Sequence, residues 1–413
     1  MADILDIQSG LEFDESVSHY EIHAHHPYTS LNFNNSDEIR ISIQHQDLNL
    51  LPSRSCIHVI GRLIKSDAKD ATPFARTALV NNAICHLFEE IRYELNAIEI
   101  DRCKNVGVTS VIKGWPSFNP NQKIILENAG WLCENGQNIV KAAGYFDIFI
   151  PLNMILGFAE DYRKIVVNMK HELVLSRSRT DLNAVVQTAT ARDNPTYEGF
   201  KIELLKIEWL MPYIQLSTQY KIRLLRQIEK SKPLSISFRS WELYEYPTLP
   251  TSTKHVWTVK TSNQLEKPRF VILGFQTNRK NQNSANASLF DHCNLSEVKL
   301  FLNSQYYPYG SLNIDIDRNQ FAILYDMFAN FQQSYYGKNS EPLLTKANFI
   351  NNVPLIVIDC SRQNDSLKNE PVDVRLEFES KNNFPENTSA YCLILHDRVV
   401  EYNAVSGDVR KLM

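Results

Sequence analysis

The sequence of 413 residues predicts an all-β fold, two tandem jelly-roll β-sandwiches with short helical insertions, and three observations support this prediction. Apolar and polar residues alternate in many short runs, which is typical of half-buried strands. Each half offers about eight such runs, one helical insertion and polar loops, the inventory of a jelly roll. One pattern also occurs twice: a phenylalanine, a proline five residues later and a leucine 22 residues after that, namely Phe146, Pro151 and Leu173, and Phe349, Pro354 and Leu376.

The repeated pattern suggests how the chain is divided. A repeat of about half the chain indicates two copies of one fold, and we predict that the six residues of the pattern are architectural points. The pairs Leu95–Asn96 and Leu302–Asn303 are offset by 207 residues rather than 203, so the two halves are not interchangeable. The predicted parts are an N-terminal arm (1–30), a first jelly roll (31–210), a second jelly roll (211–403) and a C-terminal tail (404–413).

Composition and charge narrow the class of protein. A hydrophobic content of 43% and a charged content of 22% are ordinary for a globular protein, and the length suits two domains. The net charge of −4 gives no sign of a protein that condenses nucleic acid by charge neutralisation. The first residues lack an apolar signal core, and no run reaches the roughly 20 apolar residues of a membrane span. Seven cysteines without a CxxC spacing are typical of buried thiols in a reducing compartment, so we expect a protein that is not secreted.

In the first half, residues 1–30 are acidic and then rich in histidine, which predicts an irregular arm. Residues 39–43 alternate as a strand, and residues 56–64 are predicted to be its partner. Residues 83–101 do not hold one helical face, so we predict a hairpin with its tip at Asn96–Ala97. Helical signals follow at 107–115 and 121–132.

The second half repeats this order. A hairpin is predicted at 298–307 and a helix at 321–337, where aromatic and aliphatic residues follow a 3.6-residue period up to Gly337. Strands are predicted at 372–379 and 390–402. Residues 200–217 form a long strand without a flexible linker, so the two sandwiches are expected to pack rigidly side by side. The polar stretches 176–199 and 276–289 are expected to be surface loops.

Groups that could carry chemistry are few. The strongest metal candidates, His19, His23, His25 and His26, lack a completing cysteine or carboxylate, so a polar arm with a pH-sensitive charge is favoured. The spacing His23-Ala-His25 lacks the following glutamate of a cupin-type enzyme. The acid–base pairs lie in strand-like runs, where structural pairing is common: His86 with Glu89 and Glu90, His171 with Glu172, and Asp291 with His292. We predict no catalytic, cofactor-binding or metal-binding residue.

Charged clusters have two possible roles. Glu160–Asp161 fit solvated turn residues or partners in salt bridges between subunits. Basic residues are favoured as ordinary strand and loop charges, although contact with a genome or a lining protein stays open: Lys221, Arg223, Arg226, Lys230 and Lys232, and Arg177, Arg179 and Arg192.

Long stretches of the sequence also resemble one family. Over roughly residues 30–403, strings such as LFEEIRYELNAIEID (87–101), LYDMFANFQQSYYG (324–337) and NFPENTSAYCLILHDRVVEY (383–402) are similar to the double jelly-roll major capsid proteins of Polinton/Maverick and adintovirus-like elements. This family belongs to the adenovirus–tectivirus capsid lineage.

The resemblance implies a non-enzymatic structural protein of the virion, made inside the host cell in the cytoplasm or nucleus. Three chains would form a pseudo-hexameric homotrimeric capsomer, and capsomers would tile an icosahedral shell. Partners would be further copies of the chain, penton proteins and minor capsid proteins, with indirect or weak contact to the genome and the presence of an internal membrane left open. Two covalently linked sandwiches explain how three chains become six-sided.

Two alternatives remain. A domesticated host protein would keep the double jelly-roll fold without forming a shell. A jelly-roll carbohydrate-binding or hydrolytic protein would show an exposed aromatic groove or a pair of carboxylates in a cleft, and a signal peptide if it were secreted.

Overall fold

The computed structural model of the chain describes residues 16–28, 33–44, 49–66, 76–132, 138–140, 144–189, 196–229, 232–260, 268–362 and 372–412. The strands of the first half are β1 (Val17–His25), β2 (Glu38–Ile43), β3 (Asn49–Leu50), β4 (Cys56–Lys65), β5 (Thr77–Leu79), β6 (Phe88–Leu95), β7 (Ile98–Lys104), β8 (Tyr145–Pro151), β9 (Val166–Val167), β10 (His171–Arg177), β11 (Val185–Gln187) and β12 (Phe200–Leu216). Its helices are α1 (Ala83–His86), α2 (Val106–Ser117), α3 (Lys123–Asn128) and α4 (Gly157–Asp161).

Helix α5 (Thr218–Ile228) leads to the second half. The strands there are β13 (Leu234–Tyr246), β14 (Lys254–Lys260), β15 (Pro268–Thr277), β16 (Leu295–Leu302), β17 (Gln305–Tyr307), β18 (Ile356–Asp359), β19 (Val374–Ser380), β20 (Thr388–Tyr402) and β21 (Val409–Lys411). The helices are α6 (Ala322–Ala329), α7 (Phe331–Tyr336) and α8 (Lys346–Asn352).

Both halves form the same sandwich of two antiparallel sheets. In the first half one sheet contains the order β1-β12-β4-β8, extended by β3 and β9, and the other has the order β2-β10-β6-β7. In the second half one sheet has the order β13-β20-β15-β18, extended by β21, and the other has the order β14-β19-β16-β17. In each case the first and last strands are neighbours and the chain crosses between the sheets, which is the Greek-key order of a jelly roll. The predicted double jelly roll with helical insertions is therefore confirmed.

The N-terminal region differs from the prediction. Residues 17–25 are not an irregular arm: they form β1, which pairs with β12 from Val17–Leu216 to His25–Trp209. The strand has the place in its sheet that β13 has in the second half. Its polar residues concealed it because β1 lies at a sheet edge and is exposed on both faces over most of its length.

Two further expectations need correction. Residues 39–43 and 56–64 do form strands, β2 and β4, but they lie in different sheets, because consecutive strands of a jelly roll cross between sheets. Strand β12 continues to Leu216, so the predicted division at 210/211 lies inside a strand, and we propose the segment around α5 as the division instead. In the predicted tail, residues 409–411 form β21 and pair with β20.

The two sequence offsets are preserved in the pairing. Leu173 on β10 pairs with Tyr93, and Leu376 on β19 pairs with Leu300. The leucines are 203 residues apart and their partners are 207 apart, so both offsets belong to the same pair of equivalent sheets. The hairpin tip at Asn96–Ala97 is confirmed, with φ of 46° and 65°.

The helical insertions lie between β7 and β8 in the first sandwich and between β17 and β18 in the second. In the first half α2 and α3 confirm the predicted helical segments. In the second half the predicted helix 321–337 is two helices, α6 and α7, that meet at Asn330, and Gly337 ends the second with φ of 66°. Helix α8 follows.

The hydrophobic cores of the two sandwiches are interlocked. Val111, Ile112 and Trp115 of α2 belong to the apolar cluster of the second sandwich. Phe238 on β13 and Tyr402 on β20 belong to the cluster of the first. Because a buried large apolar side chain contributes about 1.5–3 kcal/mol, this exchange of elements stabilises the arrangement of the two sandwiches.

Candidate functional site: the seam between the sandwiches

The two sandwiches meet at the outer face of the β13-β20-β15-β18 sheet, the face turned away from its own sandwich core. Trp241, Leu395 and Phe270 form a row across this face, since each is paired with the next in the sheet register. All three are buried. Helix α2 of the first sandwich and α7 of the second cover the row: Lys113 lies 4.6 Å above the Trp241 ring, and the rings of Phe331 and Phe270 are 5.2 Å apart.

Lys113 is the central charge of this seam. Its side chain is only 2% exposed, and its Nζ donates hydrogen bonds to Ser117 Oγ (3.0 Å), Glu160 Oε1 (3.0 Å) and Tyr336 Oη (2.9 Å). Burial lowers the pKa of Lys113, and the nearby Glu160 opposes that shift. A buried ammonium group needs this complete set of partners because the desolvation of an unpaired charge is costly.

Tyrosines of α7 complete the surroundings of Lys113. Tyr335 donates to Glu160 Oε2 at 2.8 Å, and Tyr336 donates to Glu160 Oε1. Both rings also face the ammonium group, with centroids 4.4 Å and 5.2 Å from Nζ. Burial, together with the charge of Glu160, raises the pKa of both phenols well above the usual value, so they remain hydrogen-bond donors at any physiological pH.

A second ion pair crosses the seam beside the first. Arg239 on β13 donates from Nε to Asp161 Oδ2 (2.8 Å) and from Nη2 to Asp161 Oδ1 (2.6 Å). Its guanidinium also lies 3.5 Å from the centre of the Tyr335 ring and donates to the Tyr335 carbonyl. Burial acts to lower the pKa of Arg239, but the hydrogen bonds to Asp161 outweigh it and raise the pKa. A bidentate pair of this kind fixes orientation as well as distance. We call Lys113, Glu160, Asp161, Arg239, Tyr335 and Tyr336 the seam cluster.

Gly157 allows the two sandwiches to approach this closely. It begins α4, and a Cβ atom at this position would lie 1.8 Å from the Arg239 carbonyl oxygen. No other residue fits without moving one sandwich relative to the other.

Polar contacts continue along the seam on both sides of the cluster. Asp101 is fully buried and accepts from Ser240 Oγ at 2.6 Å. His86 and Ser288 share a hydrogen bond of 3.0 Å, and burial lowers the pKa of His86 to about 4. Gln332 donates to the Phe118 carbonyl at 2.9 Å. Each of these bonds joins the first sandwich to the second.

The two predicted surface loops meet at this seam. Gln187 and Asn283 exchange two hydrogen bonds, and the Asn281 amide donates to Asn183 Oδ1 at 2.6 Å. Residues 185–187 of the first loop also form β11, which pairs with β5. Polar groups of the two stretches thus bond to each other, while Asn278, Lys280 and Asn281 of the second stretch are exposed, as expected of a surface loop.

The histidines of the first half are arranged for pairing with carboxylates or tyrosine. His19 and His23 both contact Glu21, at 3.3 Å and 2.8 Å, while His25 shares a 2.9 Å hydrogen bond with Tyr213. His26 lies 3.4 Å from Glu208. Within the described ranges, no group of three or more His, Cys, Asp or Glu side chains is arranged to hold a metal ion.

The predicted acid–base pairs are separated. His171 shares a hydrogen bond with Tyr93 (2.6 Å), and burial lowers its pKa to about 3, whereas Glu172 binds Arg40 and Tyr28. Asp291 forms a bidentate pair with Arg279. These side chains are thus engaged by partners other than the predicted ones, in contacts typical of structural pairing.

Several of the charged residues singled out in the sequence make contacts inside the chain. Glu160 and Asp161 are neither solvated nor reserved for another subunit, since both pair with cations inside the chain. Arg177 is fully buried and binds the Leu87 carbonyl and Asp181, so it does not face a genome. Lys221, Arg223 and Arg226 lie on α5, whereas Lys230 and Arg192 fall outside the described residues.

The six residues of the repeated pattern occupy different elements. Phe146 and Pro151 lie on strand β8, but Phe349 lies on helix α8 and Pro354 between α8 and β18. Leu173 and Leu376 occupy equivalent strands, β10 and β19, and both are fully buried. Their role as architectural points stays a prediction.

The most important residues of the seam were missed in the sequence. One signal was available: Lys113 is the only charged residue of α2, in a helix that otherwise has apolar, small and hydroxyl side chains. Its partners Tyr335 and Tyr336 lie more than 200 positions away, so no local pattern could identify them.

The first sandwich has an outer face that no described element of the chain covers in this way. On β1, Tyr20 and Ile22 point to this face and are 50% and 58% exposed. Beside them, His58 contacts both Glu208 (3.1 Å) and Asp147 (2.8 Å). This face therefore combines exposed apolar side chains with ion pairs.

These features define a class of protein in which two copies of one jelly roll are fused and held together by buried aromatic contacts and ion pairs. Residues 77–400 match the family model for the double jelly roll-like domain, and the chain belongs to this family. A comparison with curated protein sequences gives no significant match.

Solved structures of viral capsids have the same fold. The chain is similar to a chain of the Sputnik virophage solved by cryo-EM (TM-score 0.61, 10% identity, 99% of this chain and 91% of that chain). It is also similar to the capsid of the virus PBCV-1 (TM-score 0.60, 10% identity, 98% and 99%) and to the mavirus major capsid protein (TM-score 0.55, 11% identity, 100% and 93%). The chain thus has the same double jelly-roll fold as these viral capsid chains.

Proposed function

We propose that the chain is a major capsid protein that forms a pseudo-hexameric homotrimer, and that these capsomers tile an icosahedral shell. One observation carries the proposal: the chain covers the outer face of its second sandwich but leaves the equivalent face of its first sandwich open. Trp241 and Phe270 are buried on the covered face, whereas Tyr20 and Ile22 are half exposed on the open one.

The chain contains the element that would cover the open face. Helices α2 and α3 are inserted between β7 and β8 of the first sandwich, and α6 to α8 have the equivalent place between β17 and β18 of the second. Helix α2 covers the second sandwich within the chain. The equivalent α6–α8 insertion of a neighbouring copy would then cover the first sandwich, with Ile323 of α6 already 45% exposed.

Repetition of this contact favours a closed ring. The rotation that relates the first sandwich to the second would be followed by a similar rotation from the second sandwich to the first sandwich of the next chain. The contact between two chains is then a heterologous interface, in which different surfaces of the two copies meet. Three chains supply six sandwiches, and a rotation of about 60° per step closes the ring. The fold match to viral major capsid proteins supports the same arrangement.

The finer assignments belong to this proposal. We place the protein in the virion and expect penton and minor capsid proteins as partners, with synthesis in the host cell. Membership of the Polinton/Maverick and adintovirus-like lineage rests on the sequence resemblance. No helix in the part of the chain that the structure describes is long and apolar enough to cross a membrane.

Mass measurement in solution tests the proposal. The purified chain should have three times the monomer mass of 47.6 kDa, and electron microscopy should show six-sided particles or shells. Ile22→Asp on the open face should yield monomers, whereas Val256→Asp, at a position 65% exposed on the second sandwich, should still form trimers. A wild-type chain that remains monomeric at all concentrations would contradict the proposal, and trimers that never close shells would favour a domesticated host protein.

A further inference from the structure

Helix α5 is largely exposed, although Ile228 at its end packs against the apolar cluster of the first sandwich. It follows β12 directly, and none of its 11 residues is buried. Tyr220, Ile222 and Leu225 are 39%, 45% and 46% exposed. At 100° per residue Ile222 and Leu225 lie about 60° apart around the helix, and Arg226 lies beside Ile222. Tyr220 lies on another side, next to Arg223, whose guanidinium is 5.2 Å from the Tyr220 ring. An apolar side of this kind normally packs against another element.

The charge of α5 is of one sign. Lys221, Arg223 and Arg226 are its charged residues, and no acid occurs between Thr218 and Ile228. None of the three cations has a carboxylate within 4 Å among the residues that the structure describes. By contrast, most other basic strand residues, such as Arg40 and Arg92, are paired. The helix therefore fits an occupant that is both apolar and acidic.

The first 15 residues of the chain have this chemistry. The sequence MADILDIQSGLEFDE has five carboxylates and no Lys or Arg, and its apolar residues are spread among the acids: Ile4, Leu5, Ile7, Leu11 and Phe13. The segment begins beside α5, because the Ser217 amide donates to the Ser16 carbonyl at 3.0 Å and Val17 pairs with Leu216. Ser16, the first described residue, thus lies next to the first turn of the helix.

We propose that residues 1–15 dock on α5 of the same chain, with their apolar side chains against Ile222 and Leu225 and their carboxylates near Lys221, Arg223 and Arg226. The helix is about 17 Å long, and 15 residues reach up to about 50 Å, so the segment can follow it. The short tether gives an effective concentration in the millimolar range, so a weak contact is sufficient. The inference goes beyond the proposed capsomer and does not depend on it.

An anionic lipid surface is the main alternative occupant of a basic amphipathic helix. The five carboxylates tethered beside the helix argue against it, because they would be drawn toward the same anionic surface and repelled by it. The same carboxylates are available to α5 at every moment, whereas a lipid surface has to be encountered.

Hydrogen exchange of the full-length chain tests the docking. Arg223→Glu with Arg226→Glu should raise the exchange rate of the α5 amides about tenfold, since the docked segment protects them. Adding Asp3→Lys, Asp6→Lys and Glu12→Lys to that variant should restore the protection. The control, Lys254→Glu with Arg318→Glu, changes the same charge at side chains 73% and 78% exposed on the second sandwich and should leave α5 unchanged. Amides of β15 report whether each variant is folded.

Cross-linking shows which chain supplies the segment. A zero-length carbodiimide reagent should join Lys221 to carboxylates of residues 1–15, and in a mixture of light and heavy isotope-labelled chains the linked peptides should be of one label only. Light–heavy pairs would overturn the assignment to the same chain. An unchanged exchange rate of the α5 amides in the Arg223→Glu, Arg226→Glu variant would overturn docking. Docking would also be overturned if the wild-type chain sediments with phosphatidylserine vesicles and this variant does not. Trimers measured in the same samples keep the proposed function separate from these outcomes.

Discussion

The outer faces of the β13-β20-β15-β18 sheet and of the β1-β12-β4-β8 strands differ in whether described elements of the same chain cover them. The β13-β20-β15-β18 face is buried under α2, α4 and α7. The charged residues there form the ion pairs of the seam cluster, Lys113 with Glu160 and Arg239 with Asp161. The β1-β12-β4-β8 face has the same topology, but Tyr20 and Ile22 remain half exposed. The two equivalent sheets therefore differ in the solvent exposure of their outer faces. On the proposed function, a duplicated fold supplies one contact that is complete within the chain and one that another copy completes.

The largest effect is expected from the apolar row of the covered face. Phe270→Ala removes a ring that is 2% exposed and packed against Phe331 and Tyr335. We expect a loss of about 3–5 kcal/mol in the free energy of unfolding, because the substitution leaves a cavity between the sandwiches. Denaturant unfolding followed by tryptophan fluorescence measures it. A loss below about 1 kcal/mol would mean that the two faces do not differ in packing.

The seam cluster should be the next most sensitive. Glu160→Ala removes the carboxylate that neutralises Lys113, and a buried charge left without its partner costs about 3 kcal/mol or more. The double variant Lys113→Met with Glu160→Leu should recover the part of this loss that comes from the unpaired charge, whereas the hydroxyls of Tyr335 and Tyr336 lose their acceptor in both variants. If the double variant is as unstable as the single one, the role of Glu160 is not the neutralisation of Lys113.

Acid should weaken the covered face through His86, which bonds to Ser288. Burial lowers the pKa of His86 in the folded chain to about 4, below the unfolded value of about 6.5. The unfolded state therefore takes up the proton first as the pH falls, and stability is lost from about pH 6.5 down to about pH 4. At pH 5 the loss from this group is about 2 kcal/mol.

A substitution isolates this contribution. His86→Gln cannot take up the proton, so its stability should fall less between pH 7 and pH 5 than that of the wild type, by about 2 kcal/mol. His171→Gln is the matched control inside the first sandwich, because burial lowers the pKa of His171 to about 3 without any contact across the seam. Both should flatten the pH profile. Equal profiles for the wild type and His86→Gln would show that His86 is charged in the folded chain.

The parts that the sequence predicted are those with a local cause. Alternation revealed β19, and the hairpin tip at Asn96–Ala97 followed from turn residues between two apolar runs. The fold class needed only such local signals together with the repeat. Strand β1 was missed because an edge strand exposed on both faces does not alternate. The seam was missed because Lys113 and Tyr336 come together only when the two sandwiches pack, and their separation in sequence leaves no periodic trace.

The smallest effect on the chain itself is expected on the open face. Ile22→Ala shortens a side chain that is 58% exposed, so the free energy of unfolding at low protein concentration should change by no more than about 0.5 kcal/mol. The same substitution should weaken association of chains, because the side chain would be buried only when a second copy covers β1. Unfolding measured at two protein concentrations separates these effects: wild type should gain stability with concentration, and Ile22→Ala should gain less. If Ile22→Ala destabilises the isolated chain as strongly as Phe270→Ala does, the open face is already packed within one chain. The two outer faces would then contribute similarly to the free energy of unfolding, and the surface that contacts another copy would have to lie elsewhere on the molecule.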